Sequence, residues 1–514
     1  MVSRLLGFIL LVSGLVVSAC RPMIETGAAP LPALSPTPQP TTPSFLRTAC
    51  LYRTTPADNV ECGYLLVPEN RSQPDSRTIR LHVLIFKSAS EQSQPDPLIL
   101  LNGGPGSPSQ PMIDSMLHDR IGEIWRSERD VIYIDQRGTG FSMPSLYCPE
   151  TAAAEDLIAS VSYEEDIALE AQGIQQCYAR LQREGMNLAA YNIVESAADI
   201  NDLRIVLGYE RVNLYGFSYG SLLAQTIMRQ YPTTLRSVVL DAILPAGVDV
   251  AGEKPRCLQS GLNALFAGCT ADAICHAAYP ALEAHLYALL DRLHKAPATV
   301  VLHVLDDEHW VSLDDLKFLN YIFVQLQTGA IGPLPAQIEA AFAGDYTAPA
   351  WAWLNYAYRQ QTPASRLTQS AADGMYYSTM CNYTAGLDNQ AALPCKSCAV
   401  ASQHPALAAY ADFMLAPCAF WEAGAAPAIA TAPPTTSTVP TLLLTSAYDC
   451  ALPPYLSQGL AATLAQSYQY VLPAGHAAAL SPCGLYLTVQ FLADPTQAPD
   501  AACVNEMEIY WPVR

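Results

Sequence analysis

The sequence predicts an α/β fold, in which a mostly parallel sheet carries helices on both faces and a helical segment is inserted late in the chain. Short apolar, β-branched runs alternate with segments of helical periodicity, a pattern typical of parallel strands joined by helices. The alternation stops at about residue 246 and resumes after residue 436. With 514 residues, 51% of them hydrophobic, the chain is long enough for one large domain with such an insertion.

Eight apolar runs are predicted to be the strands of the sheet. The first two are joined by the polar segment 69–75 and should form a hairpin. Later runs alternate with helices such as 196–207, in which Ile200, Leu203 and Leu207 recur at helical spacing. The eight runs are residues 63–68, 79–86, 97–101, 131–134, 212–215, 237–240, 441–445 and 468–472.

Residues 246–436, called the insertion below, are predicted to form a mainly helical cap. They are rich in Ala, Leu and Tyr and show helical periodicity over 314–325 and 334–342. A joint rich in Pro and Thr, residues 432–440, then returns the chain to the sheet. The core is therefore expected in two parts, residues 47–245 and 437–514.

The N-terminus has the pattern of an export signal. Arg4 precedes an apolar stretch over 5–17, which is too short to span a bilayer well. The stretch ends in Val17-Ser18-Ala19-Cys20, which resembles a bacterial lipobox and predicts a lipoprotein signal over 1–20 with Cys20 as the lipidated residue. Ordinary signal cleavage beside a coincidental cysteine is the alternative. The chain is expected outside the cytoplasm, either as an envelope lipoprotein held by its N-terminal lipid or as a secreted protein.

Residues 21–46 are predicted to be a disordered tether. They are rich in Pro, Ala, Thr and Ser, carry almost no charge and cannot bury enough apolar surface to fold. The net charge of the whole chain, −20, disfavours a nucleic acid partner. No sequence feature indicates the oligomeric state.

The chain has 15 cysteines, an odd number that becomes even if Cys20 is lipidated. An exported chain with so many cysteines should carry disulfides. Cys395 and Cys398 have the spacing of a redox or zinc motif, but the absence of a second such pair disfavours that interpretation. The predicted local pairs are Cys50 with Cys62, Cys148 with Cys177, and Cys269 with Cys275.

The most informative motif is Gly216-Phe217-Ser218-Tyr219-Gly220. It follows an apolar run and precedes a stretch of helix formers. A strand, this pentapeptide and a helix together resemble the nucleophile elbow of α/β-hydrolases, which predicts that Ser218 is a nucleophile. A plain turn between a strand and a helix is the alternative.

A serine nucleophile needs a base, and the base needs an acid to orient it. In α/β-hydrolases the acid and then the histidine follow the serine along the chain. Asp449 comes directly after the run 441–445, and His476 follows the run 468–472 in a loop of small residues. We therefore predict Asp449 as the acid and His476 as the base, with Asp241, which also ends an apolar run, as the back-up acid.

An oxyanion hole requires two backbone N–H donors. The N–H of Tyr219, directly after the serine, should supply one of them. The other is expected from the glycine-rich loop 101–107, where glycines let the backbone approach a substrate carbonyl. A phosphate-binding loop is disfavoured, because no Lys-Ser or Lys-Thr follows these glycines.

Four segments in this order resemble the proline iminopeptidase and tripeptidyl aminopeptidase family of serine exopeptidases. The resemblance implies an eight-stranded α/β-hydrolase fold with a helical cap, and release of amino acids or short peptides from a free N-terminus through an acyl-enzyme. It implies Ser218, Asp449 and His476 as the catalytic triad, the N–H groups of Gly104 and Tyr219 as the oxyanion hole, and a structural role for Arg137. The segments are Asn102 to Gly106, Asp135 to Ser142, Gly216 to Ser221, and Gly475 with His476.

The sequence departs from that family at two points. Asn102 stands where the family commonly has His, and the neutral Asn382 stands where relatives often have an acidic residue. Relatives bind the substrate amine through carboxylates of the cap, and here Glu422 is a candidate for that role. Aromatic residues of the insertion could line an apolar pocket or belong to a helix core, namely Trp351, Trp353, Tyr356 and Tyr358.

Two other functions remain open. An esterase or lipase could use the same triad, since ester and amide cleavage both pass through a tetrahedral oxyanion. A lipid-anchored binding protein without catalysis is the second, and the intact triad residues argue against it. The scattered histidines disfavour a metal enzyme, and no cofactor is expected.

Overall fold

A single large sheet organises the fold. The computed structural model describes residues 42–513 except 53, 56–57, 110–111, 114–116, 118–119, 360–370, 389–403 and 410–414. In the described part, nine strands pair in the order β1-β2-β3-β5-β4-β6-β7-β10-β11. They are β1 (Ser44–Thr48), β2 (Val60–Pro68), β3 (Thr78–Phe86), β4 (Leu98–Leu101), β5 (Val131–Ile134), β6 (Val212–Phe217), β7 (Leu235–Asp241), β10 (Thr441–Ser446) and β11 (Ser467–Leu472).

The sheet is antiparallel at one side and parallel over the rest. β1, β2, β3 and β5 pair antiparallel in succession, whereas β5, β4, β6, β7, β10 and β11 run parallel. All eight predicted strands are present, and the first two form the predicted hairpin. β4 and β5 are buried along their whole length, as expected for central parallel strands with helices on both faces.

The ninth strand corrects the predicted tether. Residues 21–46 were expected to be disordered. Residues 21–41 lie outside the described part of the chain, but Ser44–Thr48 pairs with β2 as an edge strand. The pairing depends on a distant residue, because the ring of Phe45 covers Gly63, where a Cβ would lie 2.6 Å from that ring. Local composition carries no signal of this contact.

Helices cover both faces of the sheet. One apolar cluster combines inward strand residues with α4 (Ile193–Val206) and α5 (Tyr219–Gln230), and another does so with α1 (Arg120–Trp125) and α15 (Pro482–Ala493). Between β5 and α4 the chain forms α2 (Ala152–Leu157) and α3 (Tyr163–Arg183). The α/β fold class predicted from the alternation of strands and helices is therefore confirmed.

The insertion is mainly helical and contains one β-hairpin, β8 (Ala298–Val304) with β9 (Asp307–Leu313). The predicted helices 314–325 and 334–342 are present as α9 (Asp315–Thr328) and α10 (Leu334–Phe342). The insertion has its own leucine-rich apolar cluster, to which α8 (Leu282–Lys295) contributes Leu286, Leu289, Leu290 and Leu293. Its helices are α6 (Val250–Ala271), α7 (Ala273–Ala278), α8 (Leu282–Lys295), α9 (Asp315–Thr328), α10 (Leu334–Phe342), α11 (Thr347–Arg359), α12 (Asp373–Asp388), α13 (Pro405–Ala409) and α14 (Ala428–Thr431).

The three predicted disulfides are present. Two further bridges join cysteines that the sequence could not pair, Cys381 with Cys418 and Cys483 with Cys503. Cys257 and Cys450 are free and buried. Cys395 and Cys398 lie outside the described residues.

The predicted signal also lies outside the described residues, Cys20 included. Within the part of the chain that is described, no helix is both long and apolar enough to cross a bilayer.

Candidate active site

Ser218 lies on a strained turn between β6 and α5. Its backbone has φ 56° and ψ −121°, a left-handed conformation that is costly for a serine. Glycines permit the turn, since a Cβ on Gly216 would lie 2.5 Å from the carbonyl oxygen of Gly220, and one on Gly220 would lie 2.0 Å from that of Leu101. The Ser218 N–H donates to the backbone carbonyl of Asp241 (3.0 Å), which ties the turn to the neighbouring strand.

The structure brings Asp449 and His476 together from adjacent loops. Asp449 follows β10 and is fully buried, and His476 follows the parallel strand β11. His476 Nδ1 is 2.8 Å from Asp449 Oδ2. Asp449 Oδ1 accepts hydrogen bonds from the backbone N–H groups of Ala451 (2.8 Å) and Leu452 (2.9 Å). The carboxylate is therefore fixed in position, with one oxygen directed at the imidazole.

The contact with Asp449 shifts the pKa of His476. Burial lowers the pKa of His476, but the adjacent Asp449 carboxylate raises it, and the net pKa is above the ordinary value of histidine. A carboxylate at Nδ1 favours the tautomer with the proton on Nδ1, so that Nε2 is available as a base.

Asp241, the back-up acid, binds a different part of the site. Its buried carboxylate accepts hydrogen bonds from the Tyr215 hydroxyl (2.8 Å) and from the N–H groups of Ala478 (3.1 Å) and Ala479 (3.0 Å). Burial raises the pKa of Asp241 to about 6. Because Ala478 and Ala479 closely follow His476 in the chain, Asp241 anchors the loop that carries the histidine.

The glycine-rich loop after β4 packs directly against the serine. A Cβ on Gly103 would lie 2.9 Å from the Cβ of Ser218. Gly104 and Tyr219, the two residues predicted for the oxyanion hole, line the same cavity as Ser218 and His476. Asn102 stabilises this loop, since its Nδ2 donates to the backbone carbonyl of Pro108 (2.8 Å).

Arg137 supports the neighbouring loop and is completely buried. Its guanidinium donates two hydrogen bonds to the Asp199 carboxylate of α4 (2.8 Å each) and one each to the carbonyls of Glu69 (2.7 Å) and Ala190 (2.6 Å). These bonds join the β2–β3 turn, the segment before α4 and α4 itself. The side chain is therefore structural.

A cavity of about 280 Å³ is lined by Gly104, Ser218, Tyr219 and His476 and also by residues of the insertion. The sequence analysis did not identify the lining residues that the insertion contributes. No motif marks them, because each occupies an ordinary helical position and reaches the cavity only through folding. They are Val250 and Lys254 from α6, Phe323 and Gln327 from α9, and Tyr376 and Met380 from α12.

The predicted aromatic pocket residues lie elsewhere. Trp353 and Tyr356 line a separate cavity of about 330 Å³, and Trp353 Nε1 donates to the carbonyl of Lys317 (3.2 Å). Trp351 packs against the apolar cluster of the insertion, and the side chain of Tyr358 is not among those described. Trp351 and Trp353 therefore belong to the core of the insertion, whereas Tyr356 is exposed.

Neither Asn382 nor Glu422, the two positions considered for the substrate amine, lines the cavity at Ser218 and His476. This cavity is called the catalytic cavity below, because it holds the predicted nucleophile and base. Asn382 is buried, and its Nδ2 donates to the carbonyl of Ala423 (2.8 Å). Glu422 is exposed. The neutral residue at position 382 thus stabilises the path of the chain before α14.

Two family models match the chain on either side of the insertion's centre. A model described as the alpha/beta hydrolase fold matches residues 96–267, and one described as TAP-like protein matches residues 404–503. The first contains Ser218 and the second contains Asp449 and His476. The chain has the α/β-hydrolase fold. Its sheet has one more strand than the eight predicted, the edge strand β1.

Curated relatives of the chain include peptidases at low identity. Serine protease Hip1 of Mycobacterium tuberculosis is 26% identical over 245 residues, which are 45% of this chain and 46% of that protein. Tripeptidyl aminopeptidase of Streptomyces lividans is 25% identical over 192 residues, 36% of this chain and 35% of that protein. The alignments thus span less than half the length of these relatives.

Among solved structures, proline iminopeptidase of Mycobacterium smegmatis aligns with a TM-score of 0.38 at 17% identity. The alignment covers 84% of the present chain and 98% of the iminopeptidase chain. A TM-score of this size adds nothing to the family matches.

Proposed function

We propose that the protein is a serine exopeptidase that releases amino acids or short peptides from the free N-terminus of peptides. The observation that carries this proposal is the meeting of three sequence-distant residues at one cavity. Ser218 stands on a strained turn, and His476, which lines the same cavity, is held by Asp449 at 2.8 Å. The peptidase relatives favour amide bonds of peptides as the substrate.

In the proposed acylation step, Ser218 Oγ attacks the carbonyl carbon of the scissile amide while His476 Nε2 takes the hydroxyl proton. Asp449 stabilises the imidazolium that forms, as its effect on the pKa of His476 supports. The N–H groups of Gly104 and Tyr219 are the proposed donors to the oxyanion. His476 then gives its proton to the leaving amine, and the acyl group remains on Ser218.

In the proposed deacylation step, water attacks the acyl-enzyme. His476 acts again as the base, and the tetrahedral intermediate uses the same two N–H donors. The insertion contributes the apolar surfaces of Phe323, Tyr376 and Met380 to the wall of the cavity. Apolar surroundings lower the local dielectric constant and so strengthen electrostatic interactions with the transition state.

A second cavity supports a requirement for a free amine. It has a volume of about 310 Å³, shares Tyr376 with the catalytic cavity and is lined by the acidic residues Glu170 and Asp373. Burial and these two carboxylates raise the pKa of Tyr376, which indicates that both lie near its hydroxyl. Carboxylates bind ammonium groups through charge-assisted hydrogen bonds, so this cavity is our candidate for the site of the substrate's N-terminus.

A chromogenic assay tests the proposed function. Purified protein, Ser218→Ala and the surface control Ser160→Ala are compared on p-nitroanilides of one, two and three residues, each with a free or acetylated N-terminus. We expect cleavage of the free-amine amides, a loss of at least about 1,000-fold in Ser218→Ala, and wild-type rates in the control. The best chain length then defines how many residues are released.

A p-nitrophenyl ester in the same assay distinguishes a peptidase from the main alternative, an esterase. Ester cleavage that ignores the amine, with no cleavage of any amide, would make the protein an esterase. Full activity of Ser218→Ala would contradict Ser218 as the nucleophile.

We further propose that Cys20 carries a lipid that holds the protein to a membrane outside the cytoplasm. The expected result for Cys20→Ser is release of the protein into the soluble fraction, since the lipid would be its only membrane anchor. Cell fractionation followed by immunoblotting measures this. Continued membrane attachment of the variant would contradict the lipid anchor.

A further inference from the structure

Asp166 is a buried acidic residue whose carboxylate has no partner in the fold. It lies in the first turn of α3 and is only 6% exposed. Among the residues that the structure describes, none donates a hydrogen bond to this carboxylate or forms an ion pair with it. Lys317 influences its pKa, but the Lys317 ammonium group donates to the carbonyls of Ile158 (2.5 Å) and Ser312 (3.2 Å) instead. Because a buried charge without a partner is costly, this carboxylate is available to a ligand.

Asp166 lines the cavity of about 330 Å³ that is separate from the catalytic cavity, and this space is called the Asp166 cavity below. Glu170 is a second acidic residue of its wall, and none of the described lining residues is Lys, Arg or His. Carboxylates and the faces of aromatic rings both attract cations. The cavity therefore has the chemistry of a site for an organic cation. Its aromatic residues are Tyr163, Tyr321, Trp353 and Tyr356.

The protonation of Asp166 agrees with such a role. Burial is the main cause that raises the pKa of Asp166 to about 7, the carboxylates of Glu170 and Asp314 raise it further, and Lys317 opposes them. The carboxylate is therefore partly ionised near neutral pH. A cation bound beside it would favour the ionised form, since an opposite charge at short distance lowers the pKa of a carboxyl group.

The Asp166 cavity adjoins the part of the molecule considered for the substrate. It shares Tyr163, Ile167 and Glu170 with the cavity that is our candidate site for the substrate's N-terminus. That candidate site in turn shares Tyr376 with the catalytic cavity. A side chain near the N-terminus of a peptide bound at Ser218 is therefore the part of a substrate that can reach the Asp166 cavity.

We propose that the Asp166 cavity binds a basic side chain, of lysine or arginine, at or next to the N-terminus of the substrate. The Asp166 carboxylate accepts a charge-assisted hydrogen bond from the cationic group, and the aromatic rings contact the aliphatic part of the side chain. The placement of this cation on a peptide rests on the proposed peptidase function.

Calorimetric titration of tripeptide amides with a free N-terminus tests this site. The protein carries Ser218→Ala, so that peptides bind without being cleaved. Lysine is paired with norleucine, and arginine with citrulline, at the first, second or third position of the peptide, with alanine elsewhere; each neutral member keeps the chain of its partner without the charge. Asp166→Asn and Asp166→Glu are made in this background. Glu164→Gln, which removes an exposed carboxylate from the same turn of α3, is the matched control.

We expect the charged member of at least one pair to bind about tenfold or more tightly at one position, as for one charge-assisted hydrogen bond. The pair and the position identify the side chain and its place in the substrate. Asp166→Asn should abolish the preference, Asp166→Glu should keep part of it, and Glu164→Gln should keep all of it. Because the Asp166 carboxylate has no partner in the fold, Asp166→Asn should not lower the melting temperature. Thermal unfolding of each variant checks this.

Two results would overturn the role of the Asp166 cavity. One is equal affinity for the charged and neutral members of both pairs at all positions, and the other is a preference that persists in Asp166→Asn. If the protein with Ser218 intact still cleaves p-nitroanilides in either case, the peptidase function stands and only the cation site is lost. A preference that depends on Asp166 in a protein that cleaves no amide would instead keep the cation site and contradict the proposed peptidase function.

Discussion

At the scale of single residues, two buried aspartates illustrate how environment decides a role. Asp241 is the last residue of β7 and Asp449 lies in the loop directly after β10, so both come at the carboxyl end of a strand of the sheet. Asp449 contacts the imidazole of His476, whereas Asp241 accepts the backbone N–H groups of Ala478 and Ala479. Asp449 therefore orients the imidazole of His476, the proposed base, and Asp241 holds the loop that carries it.

Replacing each aspartate by asparagine should separate these roles. In the proposed mechanism activity requires neutral His476, so kcat/KM should fall as the pH drops through the pKa of His476, which Asp449 keeps above the ordinary value of 6.5. We expect Asp449→Asn to reduce kcat by roughly 1,000- to 10,000-fold and to move the acid limb of residual activity to lower pH. The measurement is a pH profile of kcat/KM for Asp449→Asn and for Asp241→Asn.

Asp241→Asn is the matched control in that experiment. It should lower the melting temperature, because it weakens the anchoring of the histidine loop, and should reduce kcat by less than about 100-fold. If kcat fell more in Asp241→Asn than in Asp449→Asn, Asp241 would be the orienting acid and Asp449 the residue that anchors the loop.

At the scale of elements, Arg137 explains how the elbow is supported. A fully buried guanidinium links the loop after β5 to α4 and to the turn between β2 and β3. Arg71 approaches the same helix and contacts Asp199 (2.7 Å) and Asp202 (2.6 Å). The network joins the antiparallel side of the sheet to a helix that packs beside α5.

Arg137→Met should destabilise the protein by roughly 3–5 kcal/mol, because it leaves the buried Asp199 carboxylate and two carbonyls without this partner. Chemical denaturation measures the free energy of unfolding. Arg183→Met, at an exposed position of α3, is the control and should change stability by less than about 0.5 kcal/mol. Equal stability of the two variants would show that Arg137 is dispensable to the fold.

At the scale of the whole molecule, the insertion contributes to the position of His476, the proposed catalytic base. The N–H of His476 donates to the carbonyl of Gln327 in α9 (2.8 Å). Gly475 lies so close to α9 that an added Cβ would be 2.5 Å from the carbonyl oxygen of Leu326 and 2.6 Å from that of Gln327. The histidine loop is therefore in contact with the insertion as well as with the sheet.

Gly475→Ala should force the loop and α9 apart, lower stability by about 1–3 kcal/mol and reduce kcat by about tenfold or more. Gly459→Ala is the control, because no atom would lie within 4 Å of its added Cβ. Melting temperatures and kcat of both variants give the comparison. An active, stable Gly475→Ala would mean that contact with the insertion does not position His476.

The sequence by itself determined the fold class, the strand–turn–helix around Ser218 and three local disulfides, because each depends on residues near one another in the chain. Periodicity and glycine spacing act over a few residues and are visible without a structure. The chain order of an α/β-hydrolase triad extended these signals to Asp449 and His476, and the family resemblance extended them to the structural role of Arg137.

Only the tertiary structure decided which residues meet across the chain. The edge strand β1, the anchoring role of Asp241, the pairing of Cys381 with Cys418 and the approach of Lys254 to the catalytic cavity all depend on long-range packing. A helical lysine or a strand-ending aspartate has the same local pattern whether it faces a cavity, a backbone N–H or solvent. Its environment is created by elements distant in sequence, and that environment decides its pKa, its partners and its role.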